Sequence, residues 1–108
     1  MTEHMSTEEG QKALAKRAGK QPESIILAQI RQYLQLHGYL VIRMQQGLGS
    51  HKGLSDLVCI RGGRVVFVEV KTPTGRLSVH QEGFRGAVEM HGGEYLVARS
   101  IEDVEVLK

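Results

Sequence analysis

The stretch Ser55–Lys71, SDLVCIRGGRVVFVEVK, decides the fold. Two apolar runs flank Gly62-Gly63, a pair that supplies the positive φ angles of a two-residue hairpin turn. Counting outward from that turn, Arg61 faces Arg64 and Ile60 faces Val65, and the ladder continues down to Asp56 facing Glu69. Side chains alternate across a strand, so Glu69 and Lys71 share one face and Asp56 joins them from the partner strand. Directly opposed Cβ atoms lie roughly 4.5–5.5 Å apart, a spacing at which like charges destabilise a sheet. Val66, Val68 and Val70 fill one face of the second strand, while Val65 and Phe67 lead into Glu69 on the other. A strand apolar on both faces belongs inside a sheet. Two acids at its end therefore need a physical reason.

Upstream, the spacing predicts a helix with Pro22 at its first position, running through ESIILAQIRQYLQLH to a stop at Gly38. Ile26, Leu27, Ile30, Tyr33, Leu34 and His37 recur at the helical period and form its buried stripe. Glu23 stands at the head of that stripe, so this acid leans toward the sheet. YLVIRMQ follows as a strand and GLGSHKG as a loop, in which Gly47, Gly49 and Gly53 either let the backbone approach a strand closely or form a mobile loop tip. Downstream, Thr72 to Leu77 is a loop, and Ser78 caps a helix over VHQEGFRGAVEMH. Val79, Phe84, Ala87, Val88 and His91 share one face of it before Gly92-Gly93 ends it. EYLVAR is a further strand, and SIEDVEVLK a short helix or an extended end. The order, helix, strand, two-stranded hairpin, helix, strand, describes a mixed α/β sandwich with a small sheet flanked by helices.

At 108 residues the chain accommodates one such domain and no second catalytic one. Residues 1–20 are polar, with Lys12, Lys16, Arg17 and Lys20 late in the segment, and read as a flexible arm or frayed helix, either a solvated tail or a basic arm touching phosphates or a partner subunit, before a folded domain over 21–108. No run is long enough to span a membrane or resembles a secretory signal, so the expected location is cytoplasmic. A lone cysteine, Cys59, excludes an intrachain disulfide and reads as a small buried side chain. The net charge of +2 is compatible with a nucleic-acid partner without arguing for one. The five histidines form no constellation: His37 and His91 close helices, His4 is in the arm, and His51 and His80 flank the charged end of the hairpin.

Opposed acids can be held together by a hard divalent cation, Mg²⁺ or Mn²⁺, which takes oxygen ligands and keeps waters or substrate phosphate in its remaining positions. Asp56, Glu69 and the Val70 carbonyl are the candidate ligands. Lys71 beside them suits the orientation of a water and the charge of a phosphoryl transition state. The alternative is that Asp56 merely precedes its strand and that Glu69 and Lys71 form an exposed pair on an edge strand. Lys52, Arg76 and Arg85 lie on segments adjoining the carboxylates and are the candidate nucleic-acid contacts. The chain has no aromatic-rich patch of the kind that stacks single-stranded bases.

Taken together, Glu23 on the first helix, GLSD with Asp56, EVK with Glu69, Val70 and Lys71, and LSVHQ with Gln81 resemble the VRR-NUC branch of the PD-(D/E)xK nuclease superfamily. The resemblance covers about Pro22 to Val97, and its specificity lies in the joint order and spacing. It implies a restriction-endonuclease-like core of order α-β-β-β-α-β. It also implies Mg²⁺- or Mn²⁺-dependent phosphodiester cleavage, with Glu23, Asp56, Glu69, Lys71 and Gln81 in the catalytic site. Stand-alone bacterial and phage members are similar to Holliday-junction resolvases and act as homodimers, which implies branched DNA as partner. A nicking or restriction-like duplex endonuclease, or a DNA-binding module without turnover, is the alternative. Ser55 stands where the superfamily name has proline. Ser78-x-x-Gln81 is also a capping box, and Glu23 is also a favourable first-turn acid, so each has a structural reading beside the catalytic one.

Overall fold

A computed structural model of the chain describes residues 21–47 and 49–108. The arm assigned to residues 1–20 lies outside the described residues. The first helix, α1 (Glu23–Leu36), begins one residue later than the proline rule gives. Pro22 keeps an extended ψ of 154°, and its carbonyl accepts the amides of Ile25 and Ile26 at 3.0 and 3.3 Å, so it caps the helix from outside. The expected stripe holds at its centre. Ile26, Ile30 and Leu34 are buried, and Leu27 and Tyr33 pack partly against the same core. His37 departs from it, because it is the C-cap and lies exposed against the Tyr33 ring at 4.3 Å.

Four strands follow in the order β1-β2-β3-β4: β1 (Leu40–Arg43), β2 (Leu57–Arg61), β3 (Arg64–Val70) and β4 (Glu94–Ala98). The first three are antiparallel, and β4 lies parallel to β3 after a crossover through the second helix, α2 (Val79–Met90). The β2–β3 hairpin has the register counted from its turn, from Arg61↔Arg64 to Leu57↔Val68. Gly62 and Gly63 make that turn at φ of 58° and 83°, values an L side chain rarely adopts.

The main core lies between α1 and the sheet, where Val41, Leu57, Cys59, Val66, Val68, Val70 and Ala98 are buried. Burial raises the Cys59 thiol to about 11, so it stays protonated. A short third helix, α3 (Ile101–Val104), and a 3-10 turn (Glu105–Leu107) close this side with Val104 and Leu107. The Tyr39 hydroxyl donates to the Leu107 carbonyl, and Arg61 donates to His37 and Leu107 carbonyls, which ties the C-terminal turn to the hairpin. Ile30 and Leu34 are fully buried, so truncating Leu34 to alanine would cost about 2–5 kcal/mol of a total near 5–15.

The opposite face carries less. On α2 only Phe84 is buried, edge-on to Phe67 at 5.5 Å and Tyr95 at 6.2 Å. Val79, expected on that face, is 86% exposed, because five residues at 100° each place it roughly 140° around the helix from Phe84. The loop before β2 packs here too, with His51 at 5.2 Å from the Phe84 ring. Gly53 allows this contact: its φ is 75°, and a Cβ would sit 1.9 Å from the His80 carbonyl oxygen. The loop thus approaches the first turn of α2 and not a strand, while Gly47 and Gly49 meet open space. Among the described residues no helix is long and apolar enough to cross a membrane.

Candidate functional site

Strand alternation puts Val66, Val68 and Val70 into the α1 core, which turns Phe67, Glu69 and Lys71 toward α2. At the C-terminal end of β3, Glu69 is only 2% exposed. It is therefore neither an edge residue nor half of an exposed pair. Lys71 Nζ lies 3.8 Å from Glu69 Oε2, with its side chain 13% exposed. Gln81, in the first turn of α2, donates from Nε2 to the same Oε2 at 3.0 Å. Its Oε1 meanwhile accepts the Ser78 amide at 2.8 Å, and Ser78 Oγ accepts the Gln81 amide at 3.1 Å. Both readings of Gln81 thus coexist: the capping box fixes the side chain, and the fixed side chain holds the carboxylate.

Asp56 corrects the simple ladder. Regular pairing stops at Leu57↔Val68, so Asp56 and Glu69 are not a ladder pair. Instead Asp56 Oδ2 accepts the Val70 amide at 2.8 Å, closing the hairpin with a side chain where a backbone carbonyl would otherwise serve. The physical reason lies next door. Ser55 is fully buried and donates its hydroxyl to the Leu57 carbonyl at 3.1 Å, which turns the chain into β2. Asp56 is thereby a residue before its strand, yet its carboxylate is anchored beside Glu69.

The remaining oxygen, Glu69 Oε1, is buried and has no hydrogen-bond partner among the described residues. An unpaired buried carboxylate oxygen is costly. Burial pushes the Glu69 carboxyl up to about 8, reinforced by the nearby charge of Asp56. Lys71 pulls in the other direction, and Glu23 adds a smaller upward push. Glu23 itself is exposed. It lines, with Ser24, Leu27, Arg43 and Asp56, a cleft of about 160 Å³ at the α1 side.

Among the described residues no group of three His, Cys, Asp or Glu side chains converges on one point. The donor set is two carboxylates near a backbone carbonyl. That suits Mg²⁺ or Mn²⁺, which bind one or two carboxylates and retain waters and phosphate, better than a metal wanting a closed cage. The unpartnered Glu69 Oε1 is the observation that fits such an ion.

Of the sequence-derived cations, Arg76 and Arg85 share one cleft of about 440 Å³ with Leu77, Glu82, Val97 and Arg99. Lys52 is exposed on the loop that packs on α2. His51 and His80 lie on that loop and that first turn, and neither is hydrogen-bonded to Glu69 or Asp56 among the described residues. Three neighbours were missed. Arg43 ends β1 and pairs in register with Leu57, one residue from Asp56. Arg99 follows β4, and its Nη1 donates to the carbonyls of Thr72 at 2.7 Å and Gly75 at 2.6 Å, fixing the loop after β3. Tyr95 has a buried hydroxyl with no partner among the described residues. Its phenol is pushed upward by burial and then by the charge of Glu69. Only the β1–β2 register and the β3–β4 crossover bring these three near the acids, and neither has a local sequence signal.

An α-β-β-β-α-β core with buried and anchored acids and a lysine at one sheet end defines a restriction-endonuclease-like protein of the PD-(D/E)xK class. The chain belongs to the VRR-NUC family: the model of the VRR-NUC domain matches residues 2–102. A solved structure described as a VRR_NUC domain is similar in fold, with a TM-score of 0.67 at 23% identity, covering 79% of this chain and 91% of that one. Comparison with curated proteins finds no match. Family membership implies a DNA-processing role on a nuclease fold.

Proposed function

We propose that the protein is a metal-dependent, structure-selective endodeoxyribonuclease that cuts four-way DNA junctions as a homodimer. The observation that carries the catalytic reading is Glu69: a carboxylate 2% exposed, held by Gln81 and Lys71 through one oxygen and unpartnered at the other. A chain under no chemical demand gains stability by replacing such a group with an apolar one.

In this reading Asp56, Glu69 and the Val70 carbonyl hold Mg²⁺ or Mn²⁺. When bound, the ion supplies a water of lowered pKa and polarises a phosphoryl oxygen. Gln81 keeps Glu69 Oε2 engaged, so that Oε1 stays directed to a ligand. The Val70 amide does the same for Asp56 Oδ2. Lys71 orients the attacking water and offsets charge gathering on the phosphoryl oxygens. Glu23, across the cleft from Asp56, completes the acidic rim, and Lys52, Arg76 and Arg85 contact phosphates.

Two features support the dimer. A four-way junction offers symmetry-related scissile bonds, and one small domain cannot span two of them. In addition, Leu40 and Ile42 on the edge strand β1 and Val65 on β3 are exposed on one face of the sheet. On this reading the protein works in the cytoplasm of a bacterial or phage-infected cell.

The test is cleavage of end-labelled four-way junction, splayed-arm, duplex and single-stranded DNA with Mg²⁺, Mn²⁺ or EDTA, beside Lys71→Ala and with the mass in solution determined by light scattering. Paired, metal-dependent cuts in the junction by a dimer are expected, with Lys71→Ala slower by about 10²–10³-fold and junction binding retained. Equal cutting of plain duplex would point to a nicking or restriction-like enzyme. Binding without cleavage of any substrate would leave a DNA-binding module.

A further inference from the structure

The two clefts described above lie on opposite faces of the sheet, one lined by Asp56 on the α1 side and the other around Val97, the register partner of Glu69, on the α2 side. At one edge of the sheet, Arg43 lines both the cleft with Glu23 and Asp56 and a neighbouring one with Met44, Gln45, Gln46 and Asp56. Its side chain shares the α1 side of β1 with Val41, and it has no ion-pair partner among the described residues. At the other edge, Arg76, Arg85 and Arg99 surround Val97, which pairs in register with Glu69. Three cations face one acid there, Glu82. Arg85 lies over the Tyr95 ring, 5.9 Å from its centroid, and its pair with Glu89 is half-exposed at 3.5 Å, which water screens. Arg99 is fixed by the carbonyls of Thr72 and Gly75, so its charge is held in place before any ligand arrives.

Acids alone would repel a polyanion. Strands lie about 4.8 Å apart, so within the plane of the sheet the two edges are separated by three spacings, roughly 14 Å, and the path also passes from one face to the other. We infer that the cleaved DNA strand runs across the end of the sheet, from Arg43 at the β1 edge to the Arg76/Arg85/Arg99 cleft at the β4 edge. Phosphates on the two sides of the scissile bond are then held by different edges. The inference rests on the nuclease reading for the identity of the bond, but the path itself is a property of binding.

It is tested by binding in EDTA, followed by cleavage with Mg²⁺, using junction arms that carry a single uncharged methylphosphonate at successive positions on either side of the cut. Wild type, Arg43→Ala and Arg76→Ala are compared. Each substitution is expected to weaken binding about tenfold and to lower the slope of log affinity against log salt by about one. In Arg43→Ala, neutral phosphates on one side of the cut should cost nothing further, while those on the other side still cost about tenfold; Arg76→Ala should show the reverse. If both variants lose sensitivity on the same side, or if Arg43→Ala binds as wild type does, the crossing path is wrong. If the binding pattern appears but no substrate is cleaved, the path stands and the nuclease reading fails.

Discussion

The β2–β3 hairpin carries charge at both ends, and the two ends handle it in opposite ways. At the turn, Arg64 makes a two-point contact with Glu94 at 2.8 and 2.7 Å, out in solvent. The pairing holds the Glu94 carboxyl below its usual range and the Arg64 guanidinium above it. Arg61 finds the carbonyls of His37 and Leu107 and sits over the Tyr39 ring. Every charge there has a partner. At the open end Glu69 is desolvated, faces a like charge in Asp56, and keeps one oxygen unpaired. The lesson is that charge at the turn serves the fold, while charge at the open end works against it, which is what the proposed ligand role asks of it.

The contrast is broken most directly at Glu69. Glu69→Gln keeps the shape and the Gln81 contact but removes the buried charge. Cleavage should fall at least about a hundredfold, while the metal-free protein should melt at a higher temperature than wild type at pH 8. A variant that is both inactive and less stable would mean that Glu69 holds the fold together.

Next in size is the separation of the two duties of Gln81. Gln81→Ala loses the contact to Glu69 and should lower cleavage about 10–100-fold, the range for residues that orient a ligand. Ser78→Ala removes only the hydroxyl cap, costing about 0.5–2 kcal/mol with little change in rate. Calorimetry beside initial rates distinguishes them; equal rate losses would reduce Gln81 to a cap.

The pH dependence sharpens the same point. The folded-state value of Glu69, about 8, lies above its ordinary 4.5, so the folded chain binds more protons than the unfolded one between those values. The stability this group contributes is fully present below pH 4.5 and is lost as pH rises through about 8. In EDTA the melting temperature should decline over that interval more in wild type than in Glu69→Gln. Divalent-cation affinity, measured by calorimetric titration, should rise over the same interval as the ligand sheds its proton. The smallest effect is expected at the turn: Arg64→Ala should leave cleavage unchanged and shift the melting temperature least, because an exposed pair is screened by water.

Much of this was legible in the chain. The Gly62-Gly63 turn set the hairpin register, the 3.6-residue stripe located α1, and the joint spacing of Glu23, Asp56, Glu69, Lys71 and Gln81 pointed to the family that the comparison then showed. Such signals are local: a turn needs particular φ angles, and periodicity records which face meets a core. Three things needed the tertiary structure. Asp56 lies off the ladder and binds the Val70 amide because Ser55 is buried behind it. Gly53 serves a helix end and not a strand, because the loop crosses over to α2. Arg43 and Arg99 flank the acids because strand order, set by how two layers close over one sheet, places the ends of β1 and β4 on either side of them. Sequence determined which groups are present and their local conformation; only packing decided which of them meet, because contacts between distant segments depend on the closure of the whole core.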